Sequence, residues 1–156
     1  MVAPNGFSRT IRPELFFAFP TLGAGVICDP FGRPIKRCLI ETEGRWDTAY
    51  DNLHFDERYI YDDNVVDVMH WGVDLEQDGR ITAHEASVVG ALTSILSGHL
   101  WRVKFRRKGQ PPLAGATLNY DARFTLVSPK MLLKSVAISW GPIPLATLRG
   151  YHQHRD

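Results

Sequence analysis

Two periodicities divide the chain. Trp101, Val103 and Phe105 alternate with Arg102, Lys104 and Arg106, and Leu118, Tyr120, Ala122, Phe124 and Leu126 alternate with Asn119, Asp121, Arg123 and Thr125. A period of two puts every second side chain on one face, so both stretches predict strands with one buried face. Met131 to Trp140 is a third β-prone run, and proline and glycine crowd the turn between the first two, Gly109 to Gly115. Three strands in succession predict an antiparallel meander over 101–140. Earlier in the chain the spacing changes. Val88, Val89, Leu92, Ile95, Leu96 and Leu100 recur at helical intervals, Thr82 with Glu85 has the form of a capping box, and Gly98 suits a helix end. A helix is therefore expected over 82–100. Shorter helices are expected at 47–53, from the spacing of Trp46, Tyr50 and Leu53, and at 64–71, around Val65, Val66, Val68 and Met69.

From Phe16 to Ile40, six prolines and glycines punctuate the chain too often for a long helix. Val26–Cys28 and Ile35–Ile40 flank the turn sequence Asp-Pro-Phe-Gly-Arg-Pro and predict a hairpin. The expected fold class is α+β, with short helices around residues 64–100, an antiparallel β-meander over 101–140 and an N-terminal hairpin. Residues 1–156 read as a single domain with an extended N-terminal segment, 1–14, and a C-terminal arm, 141–156.

Composition adds bounds. A chain of 156 residues, 44% hydrophobic and 22% charged, is long enough to bury a core without a disulfide or metal. A net charge of +1 excludes a uniformly basic nucleic-acid binder, but the charge is segregated. Residues 41–85 hold thirteen acids and three arginines, a net of −10, whereas residues 86–156 sum to +8 and residues 1–40 to +3. Such blocks fold onto each other, meet charged partners or surround a cation. The longest apolar run, Leu15 to Cys28, spans fourteen residues broken by Pro20 and two glycines. That is short of the roughly 20 a membrane helix needs, so membrane contact through 15–28 is compatible with it and a span is not. The opening residues lack the order of a secretory signal, and the compartment stays open.

Cys28 and Cys38, the only cysteines, flank the hairpin turn. If their Cα atoms come within about 7 Å a disulfide is permitted; two free buried thiols are the alternative. The basic run Arg102, Lys104 and Arg106 suits an interaction strand, and its alternation argues against nucleic acid. His152 and His154 are expected to be solvated on the terminal arm.

One constellation carries a specific mechanism. Asp74-Leu-Glu-Gln-Asp-Gly-Arg-Ile-Thr-Ala-His-Glu85 resembles the twelve-residue calcium loop of the EF-hand family. The resemblance implies a helix–loop–helix in which Asp74, Glu76, Asp78, the Arg80 carbonyl, Thr82 and a bidentate Glu85 hold calcium, with Gly79 at the sharp turn. The same residues fit two other states. One is an unmetallated loop kept for its shape; the other is a β-hairpin turning at Asp78-Gly79, with Val73 and Leu75 facing Ile81 and Ala83. A fainter likeness joins Leu15–Cys28, Gly32-Arg33-Pro34 and Trp46-Asp47-Thr48-Ala49, which together resemble a small accessory subunit of mitochondrial NADH dehydrogenase.

There is no glycine-rich phosphate loop, nucleophile elbow or zinc-spaced cysteine pair, so no enzyme activity is expected. The expected function is a non-catalytic structural or interaction subunit of a larger assembly, with other protein subunits as partners and calcium as cofactor. The alternatives are a regulatory calcium sensor, opening a groove beside the 82–100 helix, and an accessory subunit of a respiratory complex.

Overall fold

Period-two alternation governs far more of the chain than residues 101–140. The computed structural model describes residues 10–109 and 113–155, and its one helix among them is a four-residue turn, α1 (Pro13–Phe16). Ten strands follow: β1 (Thr21–Cys28), β2 (Pro34–Asp47), β3 (Asn52–Tyr61), β4 (Val66–Leu75), β5 (Ile81–Glu85), β6 (Thr93–Ser97), β7 (Leu100–Lys108), β8 (Thr117–Ser128), β9 (Met131–Trp140) and β10 (Ile143–His154). The α+β expectation is thus corrected to all-β.

The strands form one antiparallel sheet in the order β5-β4-β3-β2-β1-β10-β9-β8-β7-β6. Every strand except β5 and β6 pairs with both its neighbours in sequence, and the first pairs with the last, so the sheet curls into an up-and-down barrel. It stops short of full closure between β5 and β6. Side chains cross that gap. Arg107 of β7 holds Asp67 of β4 through two hydrogen bonds, 2.7 and 3.0 Å, and donates to Ser87 at 3.0 Å. Ser87 in turn donates to Glu85 at the end of β5.

The three expected helices are strands and turns. Residues 47–53 are the β2–β3 turn with the strand ends on either side, 64–71 are the end of a turn and the first part of β4, and 82–100 divide into β5, a loop, β6 and the turn into β7. In the last case the helical spacing arises from two short strands and a loop whose apolar side chains share no helix face. Gly90 sits at φ +76 in the middle of the segment, and Gly98, at φ +57, makes the β6–β7 turn. The C-terminal arm is also corrected: β10 lies between β1 and β9, hydrogen-bonded on both sides. Of the expected N-terminal extension, residues 1–9 lie outside the described residues, and residues 11–17 are packed into the barrel.

That packing closes one end. Ile11 and Phe17 are fully buried, and the Phe17 ring stacks on Phe55 at 4.3 Å and meets Phe124 and His152 edge to face. The Ile11 amide donates to the Gly98 carbonyl at 2.9 Å, and His154 Nε2 donates to the Phe16 carbonyl at 2.9 Å. β2 admits this plug because residue 44 is glycine; a Cβ there would lie 1.9 Å from the Phe17 carbonyl oxygen. The core is completed by inward residues of the alternating strands, among them Ile40, Leu53, Val73, Trp101, Val103 and Leu132.

Candidate functional site

The segment read as a calcium loop is a β-hairpin. Val73 pairs with Ala83 and Leu75 with Ile81, and the turn closes through Glu76 N–H to the Arg80 carbonyl (2.8 Å) and Gly79 N–H to the Glu76 carbonyl (2.9 Å). The EF-hand resemblance is overturned because both flanks are strands, and strands spread the donors apart. Asp78 pairs with Arg80 at 2.6 Å, and Glu76 accepts from Thr82 at 3.2 Å. Asp74 lies opposite Thr82, whereas Glu85 lies opposite Trp71, three positions along β4 and so about 10 Å away. Glu85 is buried and already occupied, accepting from the His70 amide at 2.7 Å and from Ser87. Among the described residues no three His, Cys, Asp or Glu side chains converge on a metal position.

The two cysteines do not face each other. Register places Cys28 opposite Pro34 and Cys38 opposite Gly25, and both thiols are free. Burial raises the Cys38 thiol pKa, and the Gly25 carbonyl accepts its weak hydrogen bond at 3.8 Å. On the basic strand β7, Arg102, Lys104 and Arg106 point outward; Arg102 is neutralised by a two-point ion pair with Asp121 (2.9 and 2.6 Å). Lys104, Arg106, Asn119 and Asp121 line a polar surface groove of about 460 Å³.

The barrel interior holds a cluster that the sequence reading passed over. Glu57 of β3, Lys134 of β9 and His152 of β10 all point inward, with at most 4% of their surface exposed. Lys134 Nζ donates to Glu57 Oε2 at 2.5 Å and meets the Tyr59 hydroxyl, with the Tyr59 and Phe124 rings at 4.7 and 5.0 Å. Trp71 Nε1 donates to Glu57 Oε1 at 3.3 Å. His152 Nε2 lies 3.2 Å from Glu57 Oε2, off the alignment of a good hydrogen bond, and its Nδ1 contacts Thr21 Oγ1 at 3.3 Å. Thr21 and Thr42 hydroxyls close the set at 2.5 Å.

Electrostatics follow from this packing. Burial alone would raise the Glu57 pKa, but the Lys134 ammonium, with help from His152, outweighs it and holds the carboxyl well below its usual range. Burial lowers both Lys134 and His152 against the opposing pull of Glu57, and raises the Tyr59 hydroxyl. None of the three surface grooves described is lined by Glu57, Lys134 or His152. The cluster links β3 to β9 and β10 through buried polar contacts. With the Asp67–Arg107 pair it joins the acidic middle of the chain to its basic end at two points.

A signal for the cluster did exist. Glu57 stands at the apolar parity of Leu53, Phe55 and Tyr59, and Lys134 at that of Leu132, Val136 and Ile138. A charge in the buried parity of a strand marks a buried charge.

The outer surface shows the converse. Across neighbouring strands, cross-strand register aligns Leu133, Tyr151, Ala24, Leu39, Ile60 and Val66 in one outward row. Leu39 is 52% exposed and Leu133 49%. Small Ala24 among larger neighbours leaves an apolar groove of about 840 Å³, lined by Val26, Leu39, Ile60 and Tyr151 and rimmed by Arg37 and Arg149. β1 explains why the row is apolar: its inward positions carry Gly23 and Gly25, while Leu22, Ala24 and Val26 face out. Gly23 is required by β10, since a Cβ there would lie 1.7 Å from the Tyr151 carbonyl oxygen.

Comparison with known proteins sets this geometry in context. A solved structure described as EF1p2_mFAP2b bound to DFHBI aligns with 90% of this chain and 95% of its own, at 8% identity and a TM-score of 0.49. No curated protein matches the chain. The run Leu15–Cys28 is α1, a turn and β1 instead of a span, so the likeness to a respiratory accessory subunit does not hold either. Residues 4–149 match the model of the DUF3833 family, described as proteins of unknown function, and with nearly its whole length covered the chain belongs to that family.

Proposed function

We propose that this protein is a non-catalytic interaction module, which docks an apolar protein surface on the outer face of β10, β1, β2 and β3. The observation that carries the reading is the outward row Leu133–Tyr151–Ala24–Leu39–Ile60–Val66 with its groove of about 840 Å³. An outward sheet face in water is ordinarily polar, and contiguous apolar patches of a few hundred Å² mark contact sites. The interior supports the same reading. Glu57 and Lys134 are paired with each other and line none of the three grooves, as an ionic staple would.

The test is binding of an anilinonaphthalene sulfonate dye to the native protein, compared with Leu39→Glu and Ala24→Arg. Both substitutions point outward, so far-UV circular dichroism and the unfolding midpoint should match the wild type while most dye binding is lost. Unchanged dye binding in both folded variants would overturn the proposal.

A further inference from the structure

We infer that the occupant of this face is a second copy of the same chain, related by a two-fold axis that runs along the apolar row; the inference rests on the docking reading above. It comes from the charges on either side of the row. Toward the β1–β2 turn the flanking positions are Arg149, Val26, Arg37 and Asp62; toward the plugged end they are Gln153, Leu22, Glu41 and Arg58. Within one copy Arg37 donates to Asp62 at 3.1 Å, whereas Glu41 and Arg58 are only opposite in register and the Glu41 carboxylate lies 3.8 Å from the Arg155 guanidinium.

A two-fold axis along the row lays one set over the other. Arg37 then faces Glu41 of the second copy, Asp62 faces Arg58, Val26 faces Leu22 and Arg149 faces Gln153. The Arg37–Asp62 pair of one copy and the neighbouring Glu41 and Arg58 of the other then make an alternating square of four charges, formed twice by symmetry. Leu39, Ala24, Ile60 and Tyr151 meet their own mates along the axis. An axis along β1 would instead set Arg37 against Arg149 of the second copy, a like-charge contact. The surface is thus self-complementary in one of the two orientations that stack these strands, as an isologous interface requires. The Arg37 side chain is 80% exposed, so its partner in the same chain leaves it open to a second acceptor.

Size sets the strength. Four strands spaced about 4.8 Å apart, over the four-residue rise from Arg37 to Glu41, cover roughly 300 Å² per copy. Standard stable interfaces bury about 800 Å² per partner, so the dimer is expected to be transient and concentration-dependent.

Sedimentation of the full chain from about 5 µM to about 1 mM, a range chosen for so small an interface, tests it. Wild type should shift from monomer to dimer across the range. Arg37→Glu sets two glutamates against Glu41 and Glu41→Arg sets two arginines against Arg37, so each alone should weaken the dimer at least about tenfold. An equimolar mixture should recover a heterodimer within about threefold of wild type, because each copy then supplies the charge the other needs. A wild-type monomer at every concentration would overturn the inference, as would a mixture no tighter than the single variants. If dye binding still depends on Leu39 in that case, the docking reading survives and the occupant is another protein; if it does not, both fall.

Discussion

The inner cluster and the outer row break the same rule in opposite directions. Alternation along a barrel strand should send charges out and apolar groups in, yet Glu57 and Lys134 are inside and Leu39 and Leu133 are outside. Burying an ion pair costs several kcal/mol per ion unless the partners and remaining hydrogen bonds are supplied. The interior supplies them: Glu57 has Lys134 and Trp71, and Lys134 has Tyr59. The outer row has no such closure within the described residues, and each exposed apolar Å² forgoes about 25 cal/mol that burial would bring. The Glu57–Lys134 pair finds its partners within one chain; on the docking reading proposed above, the outer row finds its partner in another surface.

The sharpest way to break the contrast is to leave one inner charge alone. Lys134→Met should strand the Glu57 carboxylate and cost about 3–5 kcal/mol, lowering the midpoint of thermal unfolding by roughly 10–15 °C. Adding Glu57→Leu should return most of the loss, since a well-packed apolar replacement for an ion pair is close to neutral. If the double variant is as unstable as the single one, the cluster is more than a staple. Next in size is Arg107→Met, which removes both hydrogen bonds to Asp67 and the link to Ser87 across the β5–β6 gap. A loss of about 2 kcal/mol is expected from denaturant unfolding, with faster amide exchange in β5 and β6.

Acid should weaken the inner cluster gradually. The folded-state pKa of His152 is lowered by burial, so the unfolded chain binds its proton more readily. Stability is then full above the unfolded value, near 6.5, and falls as pH drops below it, at up to about 1.4 kcal/mol per pH unit for one proton. The Glu57 carboxyl is also held low, so its contribution, complete above about pH 4.3, is lost as pH falls toward its folded value. Glu57 and Lys134 are the charges that face His152. His152→Gln should flatten the slope between about pH 5 and pH 7 and leave the steeper loss below it. An unchanged slope would assign the pH dependence to other groups.

What the sequence made legible follows from how much of each strand obeyed the parity rule. Trp101 to Arg106 and Leu118 to Leu126 obeyed it and lie in β7 and β8. Val88 to Leu100 mimicked a helix because apolar residues of a loop and a short strand fell at intervals of three and four, with only Gly90 to warn against it. Asp74 to Glu85 matched a metal loop in composition, but its geometry depended on helical flanks that Val73 and Ile81, as paired strand residues, do not provide. Pro142, Pro144 and Gly150 in the tail suggest an extended arm with His152 in solvent. Nothing local to residues 141–156 reports that β1, more than a hundred residues away, supplies the partner edge. The outer row was hidden for the same reason, since Leu133, Tyr151, Ala24 and Leu39 are neighbours only through register.

The smallest expected effect is the most discriminating for the outer face. Leu39→Thr removes an exposed apolar side chain from β2 and puts a β-branched residue in its place, so the monomer should change by no more than about 0.5 kcal/mol. At a few micromolar the unfolding midpoints of wild type and variant should coincide. At high protein concentration they should separate, because association with the native state alone adds stability by mass action and the variant lacks the contact. An inner substitution behaves in the opposite way: Lys134→Met lowers the midpoint by the same amount at every concentration. Should Leu39→Thr already destabilise the dilute protein by more than 1 kcal/mol, about twice the surface range, Leu39 would belong to the barrel's own packing and the division between inside and outside would lose its meaning.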